Sequence, residues 1–377
     1  MTKKILITGG AGFIGSHLVD ELIEKKNHKI TVFDILEEQV HGKSNKPPEY
    51  LNKKAKFIHG SVTDYAKLEE LVKEHDIVYH LAAMVGVGQS MYQIKKYINH
   101  NILGTANLLD IIANSEHNVE KLIITSSNTV YGEGKSKCNK CGIVIPKLRT
   151  SEQLKQRDWS VKCPKCGLKV ETLLTDESTP FNPSSIYAFS KQAQEQTALL
   201  IGETFGINTT ILRFFLVYGS RQALSNPYTG VCAIFCTRLF NGKPPIVYED
   251  GLQSRDFVNV KDICQALILS MEKEAARNEI FNVGSGKPIT IKEVAEVLTN
   301  KINPNLTPIY NHQYRIGDIR NCVADISKIK NKLGFTPLIS FIKGIDDLID
   351  WIKPQVSLIK DGTQKAIAEL KEKGLLK

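Results

Sequence analysis

The segment KILITGGAGFIGSHL, residues 4–18, constrains this chain more than any other. An apolar run of strand length ends in a turn built on Gly9, Gly12 and Gly15, and an amphipathic helix pattern begins at once. Glycines at such a turn let the backbone bend tightly and approach a bound pyrophosphate. The helix start adds N–H donors and the positive end of its dipole. The runs KITVFDI, AKFIHGS, DIVYHLAA and KLIITSS then alternate with the helical patterns YAKLEELVKE and NILGTANLLDIIANS. That alternation implies crossovers between parallel strands, hence an α/β fold with a doubly wound, Rossmann-type sheet.

Asp34 ends the second run, 19 residues after Gly15. A carboxylate there accepts from a ribose 2′-OH and repels a 2′-phosphate, which favours NAD over NADP; a plain turn aspartate is the alternative. Asp64 either contacts the adenine or caps the helix that follows it. Farther on, Tyr187 and Lys191 are four apart and share one face of a helix. An ammonium beside a phenol favours the phenolate, a base able to take a hydroxyl proton.

Between these motifs lies something of another kind. CNKCG and CPKCG present Cys138, Cys141, Cys163 and Cys166 as two CxxC knuckles with 21 residues between them. This spacing suits a tetrahedral Cys₄ zinc site, and because thiolates fill all four positions the zinc is structural; a redox dithiol pair is the alternative. The other four cysteines sit in apolar or helical contexts and read as inert thiols of a reducing compartment. The net charge of +9 is concentrated here, since residues 135–169 hold ten Lys or Arg against Glu152 and Asp158. The rest of the chain is nearly neutral, so the charge argues for a solvated insert and against a nucleic-acid partner. There is no secretory segment and no apolar run of membrane-spanning length, which makes the cytoplasm the expected location and excludes a membrane partner.

TGGAGFIGSHL, HLAA, TSSNTVYG, YAFSK, LRFFLVYG, RDFVNVKDI, FNVGSG and RIGDIR together resemble the extended short-chain dehydrogenases/reductases that act as nucleotide-sugar epimerases and dehydratases. The resemblance covers nearly the whole chain apart from the insert and the tail. It implies NAD bound by Gly9, Gly12, Phe13, Ile14, Gly15, Asp34, Asp64, Leu81, Ala82, Ala83, Asn101, Tyr187 and Lys191. It also implies a catalytic set in which Ser127 hydrogen-bonds the reacting sugar oxygen, Tyr187 is the base, and Lys191 holds the nicotinamide ribose and tunes the tyrosine. Ser127, Asn128, Arg255 and Arg315 would contact the nucleotide sugar, the two arginines at its pyrophosphate. Salt bridges are the alternative for the arginines, and a structural role for Asn101. Leu216 departs from the family, which usually has asparagine there, and leaves the anchoring of the nucleotide open. A homodimer is expected by the same resemblance.

All members begin by oxidising the sugar at C4. Dehydratases then need neighbouring acids, TDE in the family, where this chain has Ser127, Asn128 and Thr129. Neither Asn128 nor Thr129 readily removes a C5 proton or protonates a leaving hydroxyl. The remaining simple outcome is return of hydride to the opposite face, a 4-epimerisation that regenerates NAD. QALSNPYTGVCAIFCTRLFNGKPP and the tetracysteine insert further resemble the dTDP-L-rhamnose 4-epimerase sub-family. A 4-keto-sugar reductase or dehydratase, and a non-catalytic NAD-binding scaffold, are the competing readings.

The expected layout is an NAD domain from 1–134 and 171–216, a zinc-binding insert at 135–170, a smaller, mainly substrate-binding lobe at 217–353, and a helical lysine-rich tail at 354–377. Loop closure costs little more for a long excursion than for a short one, so the insert is tolerated between a strand end and a helix start. Zinc supplies the folding free energy so small a ribbon lacks. It is expected to pack beside the site as a lid or a subunit contact.

Overall fold

The computed structural model describes residues 2–24, 28–228 and 230–377. Alternation along the first strand sets the layers. In Lys4–Thr8 (β1), Ile5 and Ile7 enter one core and Leu6 the other, all fully buried. Lys29–Asp34 (β2), Lys56–His59 (β3), Ile77–His80 (β4), Lys121–Ser127 (β5), Asn208–Phe214 (β6) and Glu279–Val283 (β7) complete a parallel sheet. Its order is β7-β6-β5-β4-β1-β2-β3.

With apolar side chains on both faces, helices must cover both. Phe13–Glu24 and Val260–Glu272 pack together on one side, and Tyr65–Lys73, Gly104–Asn114 and Ile186–Phe205 on the other. The strand order reverses between β1 and β4, which opens a crevice at their C-terminal ends.

The expected boundary at residue 217 does not separate two bodies. The chain returns after it to add β7 and the helix Val260–Glu272 to the Rossmann sheet, where the fully buried Phe281 and Val283 pair along β6. What remains forms the smaller lobe. Strands Leu216–Tyr218, Ser254–Asn259, Pro288–Thr290 and Asn321–Cys322 make its sheet. Helices Val231–Phe240, Ile291–Ile302 and Phe341–Ile352 share its core through Phe235, Leu298 and Leu348.

The lysine-rich tail is docked. Helix Thr363–Glu372 buries Ala366 and Leu370, and Tyr314 and Lys377 exchange main-chain hydrogen bonds of 2.8 and 3.0 Å. The insert forms its own small sheet from Gly142–Val144, Ser136–Cys138 and Glu171–Thr172, with the short helix Ser151–Lys155 capped by Thr150. Among the described residues, no helix is long and apolar enough to cross a membrane.

Candidate active site

The glycine turn has its spacing for steric reasons. Gly9 has φ +71°, and a side chain there would meet the main-chain nitrogen of Ala82 at 2.7 Å; at Gly15 it would meet the Gly9 carbonyl oxygen at 2.5 Å. Gly12 is less crowded, its nearest neighbour the Gly9 carbonyl at 3.3 Å, and it lines a cavity of about 470 Å³. Asp34 sits across the turn. Its carboxylate accepts from the main-chain N–H of Ala11 at 3.0 Å and of Leu36 at 2.8 Å, and it also lines the cavity. Phe13, Ile14, Leu81, Ala82 and Ala83 line the same wall. A bare glycine turn at a helix start, faced by a carboxylate, fits a dinucleotide with an unsubstituted adenosine ribose.

β5 delivers Ser127 to the crevice, where its hydroxyl accepts from the main-chain N–H of Thr129 at 3.3 Å and from the Thr129 hydroxyl at 3.0 Å. Ser185 caps the long helix by accepting from the Ala188 N–H at 3.1 Å, which puts Tyr187 in the first turn and Lys191 one turn on. The tyrosine main chain is held as well, its N–H donating to the Ser90 hydroxyl at 3.1 Å. Tyr97 meets the Tyr187 ring edge-on, 6.4 Å between centroids.

Burial pushes the Tyr187 phenol up to about 12, an effect the Ser127 hydroxyl partly opposes. Burial also brings the Lys191 ammonium down to about 7. Both shifts favour the uncharged forms. The lysine donates to the Thr125 carbonyl at 2.8 Å, so its hydrogen bond goes to β5 and it lies along the cavity wall.

Other expected residues sit elsewhere. Asp64 takes its capping role, accepting from the Lys67 N–H at 3.2 Å, and does not line the cavity. Asn101 is fully buried and braces the wall from behind. It accepts from the Met84 N–H at 2.7 Å and donates to the Ser190 hydroxyl at 2.9 Å. Arg255 spends its guanidinium on main-chain carbonyls, those of Ser254 at 2.9 Å and Arg320 at 2.8 Å, and that of Ile319. Arg315 donates twice to Asp318, at 3.2 and 2.8 Å, with its guanidinium 5.5 Å from the Tyr248 ring centre. Neither arginine lines the cavity, because each is committed to the segment 315–320. Asn128 and Leu216 both do line it.

A set of bonds across the cofactor end carries no signal in any local pattern. Glu37 and Lys96 pair at 2.7 Å. Gln39 exchanges amide hydrogen bonds with Gln89 at 3.1 and 2.9 Å and donates to Asn226 at 2.9 Å. Only long-range folding brings these segments together.

In the insert, the sulfurs of Cys138, Cys141, Cys163 and Cys166 lie within 4.8 Å of one another, and Cys138 and Cys163 are buried. Tetrahedral zinc–thiolate bonds of about 2.3 Å put sulfurs roughly 3.8 Å apart, so the donor set fits zinc.

A parallel sheet that reverses at a glycine turn, with Ser127, Tyr187 and Lys191 gathered at the crevice, defines a short-chain dehydrogenase/reductase of the extended type. The sequence profile of GDP-mannose 4,6 dehydratase matches residues 6–140, and that of the NAD dependent epimerase/dehydratase family matches residues 167–284. The gap between them falls inside the insert. A dTDP-L-rhamnose 4-epimerase from Burkholderia thailandensis is 34% identical over 357 residues, 94% of this chain and 96% of that one. The UDP-glucose 4-epimerase of Thermotoga maritima, solved with UDP-glucose, superposes with a TM-score of 0.77 at 30% identity, covering 94% of this chain and 99% of that one. The UDP-glucose 4-epimerase of Thermus thermophilus, solved with NAD, superposes with a TM-score of 0.73 at 27% identity, covering 93% and 99%. The chain belongs to the NAD-dependent nucleotide-sugar epimerase/dehydratase family and is an enzyme.

Proposed function

We propose that this enzyme is a nucleotide-sugar 4-epimerase acting through a transient 4-keto sugar, with a neutral, 6-deoxy sugar of the dTDP-L-rhamnose kind as substrate. One observation carries the reading. Among the described residues, the only carboxylates lining the cavity are Asp34 and Glu37, both at the cofactor end. Beside Ser127 and Tyr187 the lining includes Met84, which packs with Tyr187, and Asn128 and Thr129, which follow Ser127 in the chain. Among the described residues, no acid stands there to remove a C5 proton or expel a hydroxyl, as dehydration requires. Of the lysines and arginines that line the cavity among the described residues, Lys96 is paired with Glu37, and Lys191, brought down to about 7 by burial, donates to a carbonyl, so neither is a free partner for a sugar carboxylate.

In this reading Tyr187, which the positive charge of a bound nicotinamide would favour as phenolate against the effect of burial, takes the 4-OH proton while Ser127 hydrogen-bonds the same oxygen and holds C4 in place. NAD, when held there, would supply reversible hydride exchange at C4, and inversion requires the 4-keto sugar to present its other face before the hydride returns. Tyr187 then returns the proton to the oxygen. Gly9, Gly12 and Gly15 would hold the pyrophosphate of the cofactor, Asp34 its adenosine ribose and Lys191 its nicotinamide ribose.

Two further parts belong to the proposal. The four insert cysteines hold a structural zinc. A homodimer forms through the helices that leave Leu103, Phe189 and Leu200 exposed, side chains whose burial would favour association.

The test is NMR of products formed from dTDP-, UDP- and GDP-sugars in D₂O with no added reductant. A C4-inverted sugar free of solvent deuterium is the expected result. A stable 4-keto product, deuterium at C5 or C6, or a requirement for NAD(P)H would replace epimerase by dehydratase or reductase.

A further inference from the structure

The lysine-rich tail meets both the smaller lobe and the NAD domain at the cavity. Asp361 forms a buried ion pair with Arg238 of the lobe helix Val231–Phe240 at 3.2 Å. Gly362 abuts Pro227 so closely that a side chain on it would meet the proline ring at 3.3 Å. On the NAD domain, a side chain on Gly88 would meet a methyl of the buried Leu370 at 3.3 Å. Gly88 belongs to the short helix Val87–Ser90, of which Val87 and Gln89 line the cavity and Ser90 accepts from the Tyr187 N–H.

Between these anchor points sits Tyr228, which lines the cavity. Its phenol donates to the carboxylate of Glu369 on the tail helix. Its main-chain N–H donates at 3.0 Å to the Asn226 side chain, which also accepts from Gln39 at 2.9 Å. The segment 226–228 is thus held from the cofactor side and from the tail. With the hydroxyl bound to a carboxylate, what Tyr228 offers a ligand is its apolar ring. The residue stands on the same side as Tyr187. A side chain on Gly86 would meet the Tyr228 Cβ at 3.7 Å and the Tyr97 hydroxyl at 3.0 Å, and Tyr97 meets the Tyr187 ring edge-on. Met84 and Val87 pack in that cluster and also line the cavity.

We propose that Tyr228 is a specificity-determining residue of the sugar subsite, its ring packing on the apolar edge of the sugar held at Tyr187, and that Glu369 of the C-terminal tail is the positioning residue that sets this ring. The inference deepens the nucleotide-sugar reading above and rests on it. It gives the tail a task in substrate binding, since the bond that orients a cavity residue comes from the last fifteen residues of the chain.

The experiment uses the full chain loaded with NAD. Equilibrium titrations with dTDP-L-rhamnose and UDP-glucose, and with the sugar-free dTDP and UDP, are set beside kcat and KM for the sugar that turns over. Tyr228→Ala should weaken binding of the sugar nucleotide and raise its KM about tenfold, with the sugar-free diphosphate within about twofold and NAD content unchanged. Tyr228→Phe and Glu369→Ala break one bond from its two ends. Each should cost about threefold, and the double variant no more than either alone, whereas Glu369→Gln, whose amide oxygen still accepts, should keep most of the affinity. A lowered melting temperature with unchanged Kd and KM for the folded variants shows a structural role only and overturns the inference. Equal losses for sugar nucleotide and free diphosphate overturn it as well, because Tyr228 would then meet the nucleotide, as does a loss of NAD. If Tyr228→Ala does not fold, the cycle of Tyr228→Phe and Glu369→Ala decides by the same criteria. A wild-type protein that binds neither the sugar nucleotides nor the diphosphates overturns the nucleotide-sugar reading, and the inference falls with it.

Discussion

The Lys191 ammonium donates to the main-chain carbonyl of Thr125 at 2.8 Å, two residues before Ser127 on the same strand. The helix bearing Tyr187 and Lys191 is thereby pinned to the strand bearing Ser127. The spacing among the three side chains is therefore set by the way this helix is tied to the sheet.

Burial lowers Lys191 from 10.5 to about 7, so between these values the unfolded chain carries a proton that the folded chain lacks. Stability must then rise with pH across that window. Lys191→Met should flatten this part of the curve, measured by urea unfolding at pH 7 to 10. An unchanged slope would show that another group is responsible. Tyr187, raised to about 12, acts in the opposite direction and only above pH 10.

Tyr187→Phe removes the proposed base and keeps the ring against Tyr97. A loss of about a hundredfold to ten-thousandfold in turnover is expected, with little change in melting temperature. Ser127→Ala should lower turnover less, since it removes an orienting hydroxyl. Product NMR time courses check both; wild-type turnover by Tyr187→Phe would exclude the tyrosine as base.

Asp34→Ala removes the proposed acceptor for the cofactor ribose, the bond from Ala11 that holds the glycine turn, and a local bond from Leu36. Hydrogen bonds to a charged group contribute about 1.5–3 kcal/mol, so NAD should bind roughly tenfold to a hundredfold more weakly. Discrimination against NADP should shrink as the negative charge goes. Titration of apo protein with both nucleotides measures the ratio.

If the insert holds zinc, metal analysis should find about one zinc ion per chain, and strong chelation should lower the melting temperature. Cys138→Ser and Cys163→Ser should each reproduce that loss by several degrees, because both cysteines are buried in the cluster. Metal-free protein with an unchanged melting temperature would leave the cysteines as thiols only.

Much of the main sheet was legible in the sequence. Residues 4–8, 29–34, 77–80 and 121–127 carry their apolar side chains in short runs, and each run became a strand. β7 was harder to see. Its FNVGSG motif lies inside a segment of irregular order, and only pairing with β6 makes it part of the sheet. Asp64 presented two local options, and its side chain took the nearer partner, a backbone N–H three residues away. The buried pair of Arg213 and Glu195, which joins β6 to the Tyr187 helix beneath the Tyr131 ring, left no trace in any local pattern.

The sequence by itself determined the class of sheet, the glycine turn, the placing of Tyr187 and Lys191 on one helix face and the four-cysteine set. These rest on periodicity and on residue types a few positions apart. Only the tertiary structure decided which carboxylates reach the cavity, that Arg255 and Arg315 are committed to the segment 315–320, and that Arg149 joins Glu249 and Asp318. Partners a hundred residues apart meet because burial forces each charged group to find a counter-charge, and that search is settled by packing.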